Sequence, residues 1–338
     1  MSDTTFFPVR YSQLNPNAIK NELAKRYSLE QPLSCRIFDY GLNDIYIVKT
    51  GNGIYYLRIS LTDMHEKHDY EEETFIINTL CKNGIHAAAP VCCRDGSIVW
   101  EINAPEGIRY AVLFTEAKKS PSEDNVRKGY NLGSELARIH KVADENDFTV
   151  SRAPIDLVQL AEKPLKMIQP FLSHRPADYD FLCSTAEKLC RYVEENFSYE
   201  KPYYGYCHGD IHGGNVFFDC DEPQIFDFDC MGYGWRTYDI CVFAWNETFS
   251  DEKYIETDAW KAFLDGYNSV RKLSEKELNS ISTFAALREI WLMGLHAGMM
   301  DRNAGCSWYN DGYFDYHIKI IQLWYNRSIS IQSVSEVV

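Results

Sequence analysis

No run of apolar residues in this 338-residue chain approaches the roughly 18 that a membrane-spanning helix requires. The nearest, Ile290 to Leu295, is bounded by Glu289 and His296. A basic leader is missing as well: Asp3 stands among the first residues, where a secretory signal carries Lys or Arg. A soluble, cytoplasmic protein with no membrane partner is therefore expected. Positive charge is scarce, with 34 Lys and Arg against 49 Asp and Glu and a formal charge of -15. That balance argues against a basic footprint for a nucleic-acid backbone. The 11 cysteines contain no C-x-x-C pair, so neither a zinc knuckle nor a disulfide framework is suggested, and buried reduced thiols are the expectation. Repeats and low-complexity tracts are also lacking.

What is present fits a folded enzyme-sized protein. At roughly 100 to 200 residues per domain, the length predicts two domains or one bilobed unit. Hydrophobic residues at 45% and charged residues at 25% are globular values. The texture changes near residue 117. Before it, Ile45 to Lys49 and Ile54 to Ile59 flank Asn52-Gly53, a hairpin signal. A helix is predicted from about Lys67 to Asn83, because Glu73, Ile76, Ile77 and Leu80 share one face. Strands are expected at Ala89 to Cys93, Ile98 to Ile102 and Arg109 to Phe114. After it, Asn131 to Val142 and Tyr179 to Asn196 read as amphipathic helices, and Ser274 to Glu277 forms a capping box ahead of a long helix ending near Met300. Residues 1–117 hold 11 basic and 15 acidic residues, so most of the acidic excess lies in the second part.

Chemistry concentrates at His208-Gly209-Asp210-Ile211-His212-Gly213-Gly214-Asn215, followed by Ile225-Phe226-Asp227-Phe228-Asp229. An Asp and an Asn five apart in a turn, then a hairpin returning another Asp, gather oxygen ligands around one point. Mg²⁺ prefers oxygen and keeps waters, so two protein groups plus nucleotide phosphates complete its shell. Asp210 is then left to orient an attacking hydroxyl and take its proton.

The pattern H-G-D-x-H-x-x-N with a following D-x-D resembles the aminoglycoside phosphotransferase and choline kinase superfamily. The resemblance spans most of the chain. It implies an α+β, bilobed protein-kinase-like fold: a small N-lobe over 1–117 with an antiparallel sheet and one helix, and a larger, mainly helical C-lobe over 118–338. It also implies that Asp210 is the catalytic base, that Asn215 and Asp227 ligate Mg²⁺, and that His208 organises the loop. Asp239 is expected to brace that loop. Asp229 has two readings, support for a second cation or orientation of a neighbouring loop. His212 likewise either reaches phosphate or shapes the loop.

In the N-lobe, Tyr40-Gly41-Leu42-Asn43-Asp44-Ile45-Tyr46 resembles the phosphate-covering loop of homoserine-kinase-like relatives, which makes Gly41, Asn43 and Asp44 nucleotide contacts. Arg58 stands where such enzymes usually carry a phosphate-binding Lys, and it keeps the charge with a bidentate fork. Glu73 faces inward and is its expected partner, with Glu72 in reserve and Glu71 solvated. Phe114, Glu116 and Ala117 are expected against the nucleotide base, with Leu57, Val112 and Ile225 as apolar walls.

The resemblance implies ATP- and Mg²⁺-dependent transfer of a phosphoryl group to a hydroxyl of a small molecule, an amino alcohol, amino acid, sugar or aminoglycoside. Trp245, Glu247, Glu289, Asp301, Trp308 and Asp311 are candidate acceptor contacts, since aromatic faces and carboxylates hold amines. A core role for the aromatic residues is the competing reading. Two other functions are weighed against this one: a protein Ser/Thr kinase of the stress-response type, and a nucleotide-binding pseudokinase or scaffold, for which Arg58 in place of Lys is the argument.

Overall fold

Two runs of branched or aromatic residues, Ile45–Val48 and Ile54–Leu57, on either side of Asn52-Gly53 produce the expected hairpin in the structure, a computed structural model that describes residues 7–30, 32–301 and 306–335. Two compact units result. Unit 1 comprises Met1–Lys118 with Thr149–Ser151, and unit 2 comprises Lys119–Phe148 with Arg152–Val338. The short segment joins unit 1 through Ser151, whose N–H and hydroxyl donate to the Glu72 carboxylate at 2.7 and 2.8 Å.

Unit 1 runs α1 (Pro16–Arg26), β1 (Ser34–Tyr40), β2 (Asn43–Lys49), β3 (Ile54–Ser60), α2 (Lys67–Lys82), β4 (Trp100–Ala104) and β5 (Gly107–Thr115). The strands form one antiparallel sheet in the order β1-β2-β3-β5-β4. Helix α1 adds to the expected parts. Asn15 caps it by accepting from two backbone amides, and Pro16 occupies its first turn, where no N–H is needed. Pleating then sorts the sheet residues onto two faces. Tyr46, Val48, Leu57, Ile59, Ala111 and Leu113 pack with Ile19 and Leu23 of α1. Arg58 and its register partner Val112 point the other way, where Val112 joins Tyr70 of α2 and Val99.

Residues 89–93 do not form the strand expected there. Val91 donates to Leu113 at 2.8 Å and Thr115 to Ala89 at 2.9 Å, so the segment lies along β5. Pro90 between them has no N–H to extend a ladder.

Unit 2 contains α3 (Asn125–Asn146), α4 (Lys163–Ile168), α5 (Pro176–Asn196), β6 (Tyr204–Cys207), β7 (Val216–Asp219), β8 (Glu222–Ile225), β9 (Gly232–Trp235), α6 (Arg236–Thr248), α7 (Asp258–Val270), α8 (Glu275–Met299) and α9 (Asp311–Ser335). The cap of α8 closes reciprocally, with Ser274 Oγ accepting from Glu277 N and Glu277 Oε2 accepting from Ser274 N. Helices α3 and α7 meet backbone to backbone through glycines. A Cβ on Gly133 would lie 1.9 Å from the Phe263 carbonyl oxygen, and one on Gly266 1.9 Å from that of Tyr130. This close approach brings His140 of α3 within reach of Tyr267 of α7. Among the described residues, no helix is long and apolar enough to cross a membrane.

Gly133→Ala is expected to wedge α3 from α7 and destabilise the protein by about 1–3 kcal/mol. Gly41→Ala, whose Cβ would meet nothing within 4 Å, should fall within about 0.5 kcal/mol of the parent. Urea denaturation midpoints of the two variants check the contrast.

Candidate active site

Strands β6 and β9 pair antiparallel, with Cys207 opposite Gly232, and the chain leaves β6 directly into the loop 208–215. Gly209 is required there. Its φ is 83°, and a Cβ would sit 2.1 Å from the Cys230 carbonyl oxygen. Asp239, fully buried in the first turn of α6, anchors the loop: its two oxygens accept from His208 N and Gly209 N, each at 2.7 Å. The same carboxylate lies 3.0 Å from His140 Nε2, while His140 Nδ1 is 2.8 Å from the Tyr267 hydroxyl. A carboxylate only accepts, so Nε2 carries the proton and Nδ1 accepts from Tyr267. Burial lowers the His140 pKa to about 4, against the upward pull of Asp239, and the ring is neutral. Cys207 lies beside His140 and Asp239. Asp239 is already committed to three donors, however, and the Cys207 thiol donates to backbone carbonyls.

His208 is also fixed. Nδ1 accepts from Asp210 N at 3.2 Å, which leaves Nε2 to donate to the Phe226 carbonyl at 3.3 Å. Phe228 covers the ring at 4.4 Å between centroids. Burial holds His208 below the usual histidine range. It shapes the loop and is in no position to shuttle protons.

Asp210 receives Asn215 Nδ2 on Oδ2 at 3.0 Å, and the same Nδ2 donates to the Asp210 carbonyl at 2.9 Å. Asn215 Oδ1 accepts no hydrogen bond among the described residues. On its other oxygen, Asp210 pairs with Arg288 of α8. Burial alone would raise the Asp210 carboxyl, but Arg288 and then His212 override it and hold the group well below the usual carboxylate range. His212 Nε2 lies 3.5 Å from Asp210 Oδ2, and its Nδ1 accepts from Gly214 N at 2.9 Å. The β7–β8 register, Val216 opposite Ile225, carries Asn215 to Phe226, whose N–H donates to the Asn215 carbonyl at 3.0 Å. Asp227 comes next, exposed and at φ 62°, a conformation rare outside glycine. Asp229 lies 3.5 Å from Arg152, whose Nη1 donates to the Phe228 and Asp229 carbonyls.

In unit 1, Arg58 Nη2 donates to Glu73 Oε2 at 2.6 Å, with both side chains buried. The guanidinium lies 5.2 Å from the Phe114 ring. Gly41 and Leu42 form the turn between β1 and β2, and Asn43 opens β2. Asp44 does not join them, contrary to expectation. Pleating places it with Tyr46 on the face opposite Arg58, where it pairs with buried Arg109 at 2.7 Å and accepts from the Tyr11 hydroxyl. Arg109 also donates to the Ser60 and Ser12 carbonyls at 2.5 and 2.9 Å, so Asp44 is a structural counter-ion. Leu57 shares that face and packs with α1 rather than forming a wall beside Arg58. Glu116 is exposed and Ala117 half-buried just past β5.

The acceptor candidates scatter. Glu289 is fully buried and accepts from Trp245 and His317, so Trp245 and Glu289 are interior partners of each other and not open contacts, because burial leaves Glu289 in need of donors. Asp311 is an exposed tie to His174 at 2.8 Å and to Arg175. Asp301 and Trp308 are exposed. Glu247 adjoins the loop: a Cβ on Gly213 would be 3.1 Å from its Oε1. It lines a cavity of about 640 Å³ with Phe217, Phe243 and Tyr254, and burial raises its carboxyl despite His212 nearby. Sequence reasoning missed Arg288. The available signal was a charged pair, Arg288-Glu289, inside an apolar helical run.

A model of the phosphotransferase enzyme family matches residues 41–273. A Synechocystis sp. protein is 36% identical over 293 residues, covering 86% of this chain and 80% of that protein. Among solved structures, an amicoumacin kinase in complex with AMP-PNP, Ca²⁺ and Ami superposes with a TM-score of 0.75 at 22% identity, covering 93% of this chain and 94% of that one. A microcompartment-associated aminopropanol kinase superposes at 0.74 and 19% identity, covering 94% and 98%.

Asp44→Ala removes the nearer of two carboxylates on buried Arg109, leaving Glu106 at 3.6 Å, and should cost about 1–3 kcal/mol by urea denaturation. Acid should weaken unit 2 through His140. Its folded pKa of about 4 lies below the unfolded value of about 6.5, so the unfolded state binds the proton first and stability falls as pH drops from about 6.5 to about 4. His140→Gln should flatten part of that slope in melts at pH 7 and 5, and an unchanged slope would place the acid sensitivity elsewhere.

Proposed function

Because the chain belongs to the phosphotransferase enzyme family, we propose that it transfers the γ-phosphoryl group of ATP, held with Mg²⁺, to a hydroxyl of a small amine-bearing molecule. The observation that carries this reading is the Asp210–Asn215 pair. Asn215 spends its amide N–H on Asp210, and Oδ1, a hard oxygen donor, accepts nothing among the described residues. Asp227 adds a carboxylate one residue beyond Phe226, which is bonded to Asn215. An oxygen-only donor set of this kind suits a small divalent cation. Asn215 and Asp227 would hold that cation, which when bound neutralises charge on the transferred group.

The chain's own residues do the rest. Asp210 is ionised and oriented from both oxygens, so it accepts a hydrogen bond from the acceptor hydroxyl and aligns that oxygen for attack. Its depressed basicity suits a late proton transfer, as a loose phosphoryl-transfer transition state demands little deprotonation early. His208 and Asp239 keep the loop backbone in one shape. In unit 1, Glu73 orients Arg58, whose guanidinium is assigned to phosphate oxygens. Gly41 and Asn43 at the β1–β2 turn, with Phe114, Glu116 and Ala117, are assigned to the nucleotide. Asp44 is not. The amine-bearing acceptor is supported by the amicoumacin and aminopropanol kinases among the similar structures, and by Glu247, half-buried beside Gly213.

Asp210→Asn should lower ATP-dependent ADP release by about 100-fold or more while calorimetric Mg-ATP binding stays within a few-fold. Turnover equal to the parent's would remove Asp210 from the chemistry.

A further inference from the structure

We propose that Arg288 is a positioning residue for phosphoryl transfer: from helix α8 it fixes the Asp210 carboxylate in the orientation that receives the acceptor hydroxyl. The inference rests on the function proposed above and adds a part to it, since Arg288 lies beyond residue 273, where the family match ends. Every residue from 280 to 290 is buried. A guanidinium in such a stretch is costly to desolvate unless its charge and donors are matched. The structure matches the charge and both terminal nitrogens on two segments, the loop and α6, and leaves Nε without a hydrogen-bond partner. Nη2 pairs with Asp210 Oδ1, and Nη1 donates to the Gly209 carbonyl at 3.2 Å and to the Tyr238 hydroxyl at 2.8 Å. The Trp291 ring lies 4.1 Å and the Trp245 ring 5.0 Å from the guanidinium carbon.

These contacts have a geometric consequence. Asn215 alone, bonded to Oδ2, leaves the Asp210 carboxylate free to rock about its terminal torsion. Arg288 on Oδ1 removes that freedom from the opposite side, and the aromatic rings with Tyr238 keep the guanidinium itself from swinging. Oδ2 already faces Asn215 and, at 3.5 Å, His212, but Oδ1 keeps a second lone pair beside Arg288, so Asp210 can still accept from a hydroxyl. The planar fork is needed: an ammonium is a single point charge and cannot serve Asp210, Gly209 and Tyr238 in one plane. A misplacement of about 1 Å at such a group costs about 100-fold in rate.

The experiment compares the full-length parent with Arg288→Met, Arg288→Lys and Arg288→Ala. Mg-ATP-dependent ADP release is followed with 1-amino-2-propanol as acceptor and with water alone, and Mg-ATP binding is measured by calorimetry. Arg288→Met is expected to lower kcat about 100-fold with KM for ATP within about threefold, and Arg288→Lys to recover little of it. In Arg288→Ala, guanidinium at tens of millimolar should restore kcat about tenfold where equal urea does not, a rescue that a merely structural role would not give. Turnover of Arg288→Met within about threefold of the parent overturns the proposal. So does a loss that raises KM for ATP in proportion and is not restored by guanidinium. A parent that neither binds Mg-ATP nor releases ADP overturns the kinase reading itself, and the role of Arg288 falls with it.

Discussion

The Asp239 carboxylate is the interaction on which the rest of unit 2 depends. A buried charge is tolerable only when its oxygens are satisfied, and here the donors are the amides of His208 and Gly209 and the imidazole of His140. That demand fixes the backbone at the start of the loop. Once Gly209 is held, the Asp210 N–H reaches His208 Nδ1, His208 Nε2 reaches Phe226, and Asn215 closes on Asp210. The chain of contacts extends outward as well. His140 must come close enough to reach Asp239 while accepting from Tyr267, and α3 and α7 permit this because glycine removes the side chains between them. A helix-packing feature of the fold thereby sets the position of a polar side chain at the candidate site.

Much of this was legible in the sequence because it is local. Asp210 and Asn215 are five residues apart in one turn, and Asp227 returns through a four-residue-strand hairpin, so spacing alone brings them together. The Arg58–Glu73 contact was legible for a similar reason: a strand period and a helix period each point one side chain inward. Asp44 shows where such reasoning stops. The run Gly41 to Asp44 reads as one loop, but β2 begins at Asn43, and a period of two then turns Asp44 to the face opposite Arg58. Its partner Arg109 is 65 residues away, and no sequence window joins them. Arg288 was hidden in the same way, 78 residues from Asp210 on a helix whose surrounding residues, Glu289 apart, are mostly apolar. Trp245 and Glu289 were candidate acceptor contacts, with a core role the competing reading for the aromatic residues, and each satisfies the other in the interior.

The acidic balance of the chain takes on a narrower meaning. Asp210, Asp227, Asp229 and Asp239 all belong to the loop and its supports; Arg288 and Arg152 offset two of them, while neutral His140 gives Asp239 a hydrogen bond and no charge. An excess of acid in the second part of the chain is therefore partly the chemistry of the loop proposed to transfer the phosphoryl group. Glu247 differs: it is half-buried beside Gly213, and the cavity it lines carries Phe217, Phe218, Phe243 and Tyr254 together with Lys119 and Lys128. Acceptor recognition should be sought there ahead of the exposed carboxylates of α9.

The central claim is that loop 208–215, with Asp227, transfers a phosphoryl group to a small-molecule hydroxyl. The most direct measurement is ³¹P NMR of Mg-ATP incubated with the protein and a mixture of hydroxyl-bearing amines. A new phosphomonoester resonance should grow as the γ-phosphate signal declines, and should depend on both the protein and the amine mixture. Growth of inorganic phosphate alone, or an unchanged ATP spectrum, would contradict it.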